Sequence, residues 1–295
     1  MVNTRILEQR LGWRSAGPDQ EPTPPARPIS HAPMLQGRLE PGDRGSTRAG
    51  PRRLAVEDAW GALPRLDHSL SDLATRAGLV PPFDRHTGPG DAFDQLRTQL
   101  TRVLKSNDWR RIGVTSPARG AGRSFVAAGL AASMARLDTL RVLLIDADLE
   151  DPGLAELIDT PAPGALEDVL TGARDPLDHL LRIGDNLAIA LNGVPIDYGA
   201  ELLQSPDAIL ALRAMMDALA PDVTVLDMPP LLQDQAAQAL LAQLDAVLLI
   251  SDGTSSTAAD IMECERLLDG QVPLLGVALN KSEDSDTRRR ARRRF

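Results

Sequence analysis

The sequence predicts an α/β fold in which a mainly parallel sheet is flanked by helices. From residue 91 onward, short apolar runs of strand length alternate with stretches of helical periodicity, and this alternation is typical of parallel sheets with right-handed crossovers. The apolar runs are continuous instead of alternating in polarity, which indicates strands buried on both faces. Because ligands bind beyond the carboxyl ends of such strands, the residues at these ends are the candidate functional residues.

The first element of this pattern is a helix over residues 91–107, whose apolar residues recur at helical spacing. Strands are then expected over residues 112–115, 142–146, 187–191, 223–227, 246–250 and 274–280. Helices are expected between them, over residues 124–137, 165–171, 206–219, 235–244 and 257–268.

Outside this region the composition changes. Proline, glycine and arginine dominate residues 14–55, and such a composition buries too little apolar surface to offset the entropy of ordering. We therefore expect residues 1–87 to be a largely disordered arm, residues 88–281 to form the folded domain, and residues 282–295 to form an acidic and then polybasic tail. Two apolar patches in the arm, at residues 6–13 and at 54–73 with Trp60, either dock on the domain or a partner or form transient helices.

Charge and cysteine content exclude several classes of protein. The net charge of −9 argues against general nucleic-acid binding, and Cys264, as the only cysteine, rules out an internal disulfide and indicates a reducing cytoplasm. No run approaches 18 apolar residues, and the polar amino terminus lacks a signal core. A cytoplasmic protein is expected. Its basic residues are biased, with only Lys105 and Lys281 as lysines.

A glycine-containing loop follows the first predicted strand. Gly120 and Gly122 give its backbone the freedom to point N–H groups at phosphate oxygens, next to the positive end of the following helix. The phosphate-binding loop pattern is G-x-x-x-x-G-K-[ST]. Here Pro117 replaces the first glycine and Arg123 replaces the lysine, whereas Ser124 keeps the hydroxyl that binds Mg²⁺.

Three aspartates stand at the ends of two other predicted strands. Asp146 and Asp148 follow one apolar run, and their spacing places both on one face while the strand persists. Asp227 ends another run and is followed by Met-Pro-Pro; a carboxylate at such a position can hold Mg²⁺. A single strand-end aspartate is as readily a helix cap, but three beside a glycine loop indicate a nucleotide site.

These segments resemble the cytoplasmic kinase domain of bacterial tyrosine kinases, the CpsD/CapB/Wzc family of exopolysaccharide and capsule regulators within the ParA/MinD-like P-loop superfamily. The resemblance lies in TSPARGAGRSFVAAGLA at 115–131 for the Walker A motif, LLIDADL at 143–149 for Walker A′ and DMPP at 227–230 for Walker B. It extends over about residues 91–281.

The resemblance implies a P-loop NTPase fold with ATP and Mg²⁺ as cofactors. Ser124 and Asp227 would bind Mg²⁺, while Asp146 and Asp148 would assist its positioning and deprotonate an attacking hydroxyl, with Arg123 in the place of the catalytic lysine. The phosphate-binding residues would be Arg119, Gly120, Ala121, Gly122, Arg123, Ser124 and Phe125. The resemblance further implies a Wzz-like membrane polysaccharide co-polymerase as partner and a homo-oligomer.

Three features depart from the family pattern. The planar guanidinium of Arg123 does not match the compact ammonium of lysine, so we expect weaker nucleotide binding and a larger loss of phosphotransfer; arginine bias of the genome is the other explanation for this residue. Tyr198 is the only tyrosine, so no tyrosine tail exists to be phosphorylated. In the helix that resembles the family's E-x-x-R-x-x-R oligomerisation motif, Asp91, Asp94 and Arg97 occupy the three positions.

The tail carries six arginines between Arg288 and Arg294. A polybasic segment gains on the order of 1 kcal/mol per residue at an anionic membrane, so peripheral contact with the inner membrane face or with an acidic partner is one interpretation. Nucleic-acid contact through phosphates and a solvated tail are the others.

Three functions therefore fit the sequence. The first is an ATP-binding regulator of exopolysaccharide biosynthesis, with phosphotransfer impaired by Arg123. The second is a non-catalytic pseudo-kinase that acts by docking. The third is a positioning ATPase of the ParA/MinD type. Proteins of that class have a signature lysine in the loop, and Ala118 at this position argues against it.

Overall fold

The computed structural model of the chain describes residues 56–66 and 88–281. Its strands are β1 (Arg111–Thr115), β2 (Val142–Asp146), β3 (Leu180–Ile183), β4 (Leu187–Ala190), β5 (Val223–Asp227), β6 (Ala246–Asp252) and β7 (Leu274–Asn280). Its helices are α1 (Val56–Ala62), α2 (Gly88–Asn107), α3 (Arg123–Ala135), α4 (Leu154–Leu157), α5 (Leu166–Leu170), α6 (Gly199–Gln204), α7 (Pro206–Leu219), α8 (Gln235–Leu241) and α9 (Ala258–Leu268).

The strands form one sheet in the order β3-β4-β2-β5-β1-β6-β7. Neighbours are parallel throughout, except that β3 runs antiparallel to β4 at one edge. The register of the central strands places Asp227 opposite both Asp146 and Val114. The carboxyl ends of β1, β2 and β5 therefore meet at one point of the sheet edge, as the sequence predicts for the site.

The predicted α/β fold with a mainly parallel sheet is confirmed. All six expected strands are present, and their bounds agree with the prediction to within two residues. The strand that the sequence did not reveal is β3, which has four residues and carries half-exposed Arg182 in its middle. A short antiparallel edge strand of this kind has neither the length nor the unbroken apolar run of the buried strands.

Two apolar layers bury the faces of the sheet. In β2, Leu143 and Ile145 point into the layer beneath α5 to α9, whereas Val142 and Leu144 point into the layer beneath α2 and α3. This alternation is the two-residue period of a strand that is buried on both faces. Both layers consist mainly of aliphatic side chains.

Helix α3, which follows the glycine loop, is held tightly against α2. A Cβ atom on Gly129 would lie 2.3 Å from Cζ of Phe93, so only glycine lets the ring of Phe93 lie on the α3 backbone. Phe125 adds a ring contact, with its centroid 5.6 Å from that of Phe93. The start of α3 is therefore fixed by packing that does not involve the loop.

Part of the arm folds onto the domain. In α1, Trp60 is buried, and its indole Nε1 donates a hydrogen bond to the carbonyl oxygen of Leu219 at 2.7 Å. The guanidinium of Arg141 lies over the same ring at 5.4 Å. After α1, the chain pairs with the edge strand β3: the N–H of Leu66 donates to the carbonyl oxygen of Arg182 at 2.9 Å, and the N–H of Arg182 donates to that of Pro64 at 2.8 Å.

The patch around Trp60 thus docks on the domain, which was one of the two outcomes expected for it, although it lies in the stretch predicted to be largely disordered. The patch at 6–13, the rest of the arm and the tail lie outside the described residues. None of the helices in the described ranges combines the length and hydropathy needed to cross a bilayer.

Replacing Trp60 with alanine should lower the free energy of unfolding by about 3 kcal/mol, because a large buried side chain and its hydrogen bond are lost together. Urea unfolding followed by circular dichroism measures the change. Leu210, which is 62% exposed on α7, supplies the control: Leu210→Ala should change the stability by less than about 0.5 kcal/mol. Equal effects of the two substitutions would show that α1 is not docked.

Candidate functional site

The glycine loop joins β1 to α3 and is shaped by two left-handed residues. Gly120 has φ of 80° and Gly122 has φ of 86°, a region that residues with a Cβ atom avoid. At Gly122 a Cβ would also lie 2.3 Å from Nδ2 of Asn280, whose amide donates to the carbonyl oxygen of Ala121 at 2.9 Å. Position 122 therefore requires glycine for two reasons, the left-handed backbone conformation and the close contact with Asn280.

The segment after β5 holds the other side of the loop. The hydroxyl of Thr115 donates to the carbonyl oxygen of Pro229 at 2.6 Å, and the backbone N–H of Leu231 donates to that of Ser116 at 2.8 Å. The side chain of Gln233 accepts a hydrogen bond from the backbone N–H of Arg119 at 2.9 Å. The chain from Pro229 to Gln233 is thus tied at three points to the end of β1 and to the loop.

Asp227 lies at the centre of the site without a hydrogen-bond partner. It is fully buried, and neither carboxylate oxygen has a partner within the described ranges. Burial raises the pKa of Asp227 to about 7; the charge of Asp148 also raises it, whereas the nearby Ser124 hydroxyl and the charge of Arg123 lower it. Such an orphaned carboxylate is expected where a cation or a proton completes the site.

Asp146 is buried opposite Asp227 in the register of β2 and β5. Its Oδ2 accepts a hydrogen bond from the N–H of Leu154 at 3.2 Å, and its Oδ1 has no partner among the described residues. Burial, and next to it the carboxylate of Asp227, raise the pKa of Asp146 well above its usual range. Two carboxylates this close cannot both be charged at low cost.

Arg123 is turned onto the third carboxylate. Its Nη2 lies 2.7 Å from Oδ2 of Asp148, and its Nη1 donates to the hydroxyl of Ser116 at 3.2 Å. The side chain is only 7% exposed. Burial raises the pKa of Asp148, and the charges of Arg123 and Arg119 oppose that rise. Arg123 therefore neutralises an acid of the site and does not stand free in the loop.

Arg119 is shared by four carboxylates. Its side chain, which the resemblance implies to be phosphate-binding, is one-third exposed. The ion pairs join it to Asp151 at 3.1 Å, Glu150 at 3.3 Å, Asp234 at 3.3 Å and Asp148 at 3.4 Å. Both arginines of the loop are thus engaged with acids.

The remaining predicted loop residues fall into place around this centre. Ala121 is buried, and the side chain of Phe125 packs on α2, so any contact of Phe125 with a ligand would be through its backbone. Gly153, which precedes α4, lies against Ser124: a Cβ atom on this glycine would be 2.9 Å from the serine Oγ. Sequence reasoning missed both Gly153 and Asn280, although Asn280 stands at a strand end, which is the criterion that revealed the aspartates.

Two of the three residues at the positions of the family's oligomerisation motif, Asp94 and Arg97, are directed into the domain. Arg97 donates to Oδ1 of Asp94 at 2.8 Å and to the carbonyl oxygen of Ser133 on α3 at 2.9 Å. Arg136 of α3 pairs with the same carboxylate at 3.2 Å. Asp91 is exposed. Asp94, at an arginine position of the motif, thus binds α2 to α3 within one chain.

The donor set fits Mg²⁺ and phosphate in part. Mg²⁺ is usually held by one or two carboxylates with water and substrate phosphates, which suits the unpartnered oxygens of Asp227 and Asp146. No cluster of three or more histidine, cysteine, aspartate or glutamate side chains within the described ranges is arranged to hold a metal alone. Gly120 and Gly122 at the start of α3 suit a phosphate group, whereas Arg123, paired with Asp148, does not supply the free charge of a loop lysine.

A glycine loop between β1 and α3, with carboxylates at the ends of β2 and β5, is the architecture of a P-loop domain. The chain matches no protein-family model, but it is similar to several individual proteins. It is 26% identical over 270 residues to the succinoglycan biosynthesis transport protein ExoP of Rhizobium meliloti, covering 87% of this chain and 32% of that protein.

Two further relatives are kinases by name. The putative tyrosine-protein kinase EpsB of Ralstonia solanacearum is 30% identical over 192 residues, which cover 64% of this chain and 25% of that protein. The BceF tyrosine kinase domain superposes with a TM-score of 0.59 at 25% identity, over 75% of this chain and 92% of that domain.

The homologues of this chain are therefore bacterial tyrosine-protein kinases, and the resemblance predicted from its Walker motifs is confirmed. The chain spans between a quarter and a third of the length of these two sequence relatives.

Removing the charge of Asp227 should remove a pH dependence of stability. Because the folded-state pKa is near 7 and the unfolded one near 4, the folded protein holds the proton more tightly, and the stability due to this proton is lost as the pH rises through 7. Between pH 5.5 and 8.5, without Mg²⁺ or nucleotide, wild type should lose about 2 kcal/mol relative to Asp227→Asn. Urea unfolding at both pH values measures it; parallel curves would contradict the burial argument.

Proposed function

We propose that the chain is an ATP-binding regulatory domain of an exopolysaccharide biosynthesis system whose phosphotransfer is impaired by Arg123. The observation that carries ATP binding is the buried, unpartnered carboxylate of Asp227 beside a loop with two left-handed glycines. The kinase homologues support the class of activity.

In this proposal each residue of the site has a task. Gly120, Ala121 and Gly122 turn backbone N–H groups toward the phosphates, and Ser124 with Asp227 holds Mg²⁺. The bound Mg²⁺ neutralises charge on the phosphates. Asp146 and Asp148 assist the positioning of Mg²⁺ and orient an attacking hydroxyl, and an ionised carboxylate of this pair accepts its proton.

Arg123 opposes this chemistry in three ways. Its ion pair with Asp148 at 2.7 Å makes this carboxylate unavailable to an attacking hydroxyl. While Arg123 is in this pair, its charge does not neutralise the phosphates. The guanidinium is also planar and wide, so it cannot replace a lysine ammonium in a narrow loop. Transfer should therefore suffer more than binding.

The partner in this proposal is the cytoplasmic segment of a Wzz-like membrane polysaccharide co-polymerase, with the protein in the cytoplasm at the inner membrane face. ExoP, by its name a biosynthesis transport protein, supports this pathway. A homo-oligomer remains part of the proposal, but through residues other than Asp94 and Arg97, which are engaged with Ser133 and Arg136 of the same chain.

A titration with Mg²⁺-ATP tests the binding. At about 100 times its Kd, ATP should add about 2.7 kcal/mol to the free energy of unfolding, and Asp227→Asn should reduce the effect because a Mg²⁺ ligand is lost. Thermal shift and calorimetry measure both. An unchanged melting temperature at millimolar Mg²⁺-ATP would contradict the proposal.

Replacing Arg123 with lysine should raise ATP turnover by at least about tenfold, because Asp148 is released and a compact cation returns to the loop. Release of inorganic phosphate is the measurement. Arg266→Lys, at an exposed ion pair on α9, is the matched control and should leave turnover unchanged. A variant no faster than wild type would show that Arg123 does not limit the reaction.

The same ion pair favours a second function, a pseudo-kinase that binds ATP and acts only by docking. Here wild type and Arg123→Lys would both bind nucleotide, and wild type would show no turnover. If wild type hydrolyses ATP and Asp146→Asn abolishes this activity, the pseudo-kinase is excluded.

A further inference from the structure

Lys281 contacts the glycine loop from the end of β7. Its Nζ donates a hydrogen bond to the carbonyl oxygen of Gly120 and lies 3.1 Å from Oδ2 of Asp252, at the end of β6. Asn280, the preceding residue, holds the next loop carbonyl, that of Ala121. Two consecutive carbonyls of the loop are therefore fixed by two consecutive side chains.

Holding these carbonyls fixes the loop's donors. A trans peptide is planar, and its C=O and N–H groups point to opposite sides. With the Gly120 and Ala121 carbonyls directed at the β7 end, the N–H groups of Ala121 and Gly122 must point away from it. These are the donors that a phosphate-binding loop presents to its ligand.

The backbone and the composition both single out Lys281. Its φ of 52° lies in the left-handed region, which costs energy for a residue with a Cβ atom and persists where surrounding contacts enforce it. It is one of only two lysines beside thirty arginines. A compact ammonium with three donors suits a site shared by a carbonyl and a carboxylate better than a planar fork does.

We propose that Lys281 is a positioning residue of the nucleotide site, which holds the Gly120 carbonyl and thereby aims the N–H of Ala121 at the phosphates. The inference rests on the proposed nucleotide binding for its ligand, but the contact itself exists in the protein alone. Arg123 donates to the loop at Ser116 and Ala118, whereas Lys281 holds the carbonyl of Gly120, whose peptide carries the N–H of Ala121.

The first test needs no nucleotide. Hydrogen exchange of the loop peptide covering residues 116–124 should be faster in Lys281→Met than in wild type, because Ala121 and Gly122 lose their fixed orientation. Lys105, on exposed α2 surface, gives the matched control, and Lys105→Met should exchange as wild type does. Unchanged exchange of this peptide in Lys281→Met would overturn the proposal, whatever the nucleotide titration shows.

The second test uses pyrophosphate and Mg²⁺-ATP as probes. Lys281→Met should lose about five- to tenfold in affinity for both, since the lost interaction acts at the phosphates. Lys281→Arg should keep the ion pair with Asp252 and the wild-type melting temperature, yet lose affinity, which a merely stabilising residue would not do.

Equal affinities of wild type and both variants would overturn the proposal. So would an affinity loss confined to a variant whose melting temperature falls with it. Failure of wild type to bind either probe refutes the proposed function instead, and the exchange measurement then decides on Lys281 alone.

Discussion

Burial of three carboxylates at one point of the sheet edge is the constraint on which the rest of this domain depends. Parallel pairing brings the ends of β2 and β5 together, so Asp146 and Asp227 are opposite each other in a place from which water is excluded. Uncompensated charge there is costly. The protein offsets it in two ways, by pKa values that favour protons on Asp146 and Asp227 and by an arginine on Asp148. The loop, its two arginines and the flanking segments are arranged around that charge.

Arg123 therefore has a different meaning in the structure than in the sequence. As a motif residue it is a lysine of the wrong shape; in the folded chain it is the counter-ion of Asp148. Arg119 completes the compensation across the mouth of the site. A site that is internally neutralised in this way is stable without ligand, and a nucleotide must compete with contacts that already exist.

Local sequence patterns predicted most of the strands and several residues of the candidate site. Unbroken apolar runs located the buried strands, and the rule that ligands bind at strand ends selected Asp146, Asp148 and Asp227. What the sequence did not reveal depends on long-range geometry. The pairing of Arg123 with Asp148 is a rotamer choice made across 25 residues, and the register that opposes Asp146 to Asp227 is set by the whole sheet. Trp60 stood in an apolar patch that could either dock or form a transient helix, and its contacts with Leu219 and Arg141, far away in the sequence, decide for docking.

The short pairing of residues 64–66 with β3 has a consequence for the solution behaviour of the domain. An uncovered edge strand presents a row of free N–H and C=O groups to which another chain can add. Here the polypeptide covers its own β3 edge: the N–H of Leu66 donates to the carbonyl oxygen of Arg182, and the N–H of Arg182 donates to that of Pro64. The tryptophan that anchors this segment thus also protects the sheet from edge-to-edge aggregation.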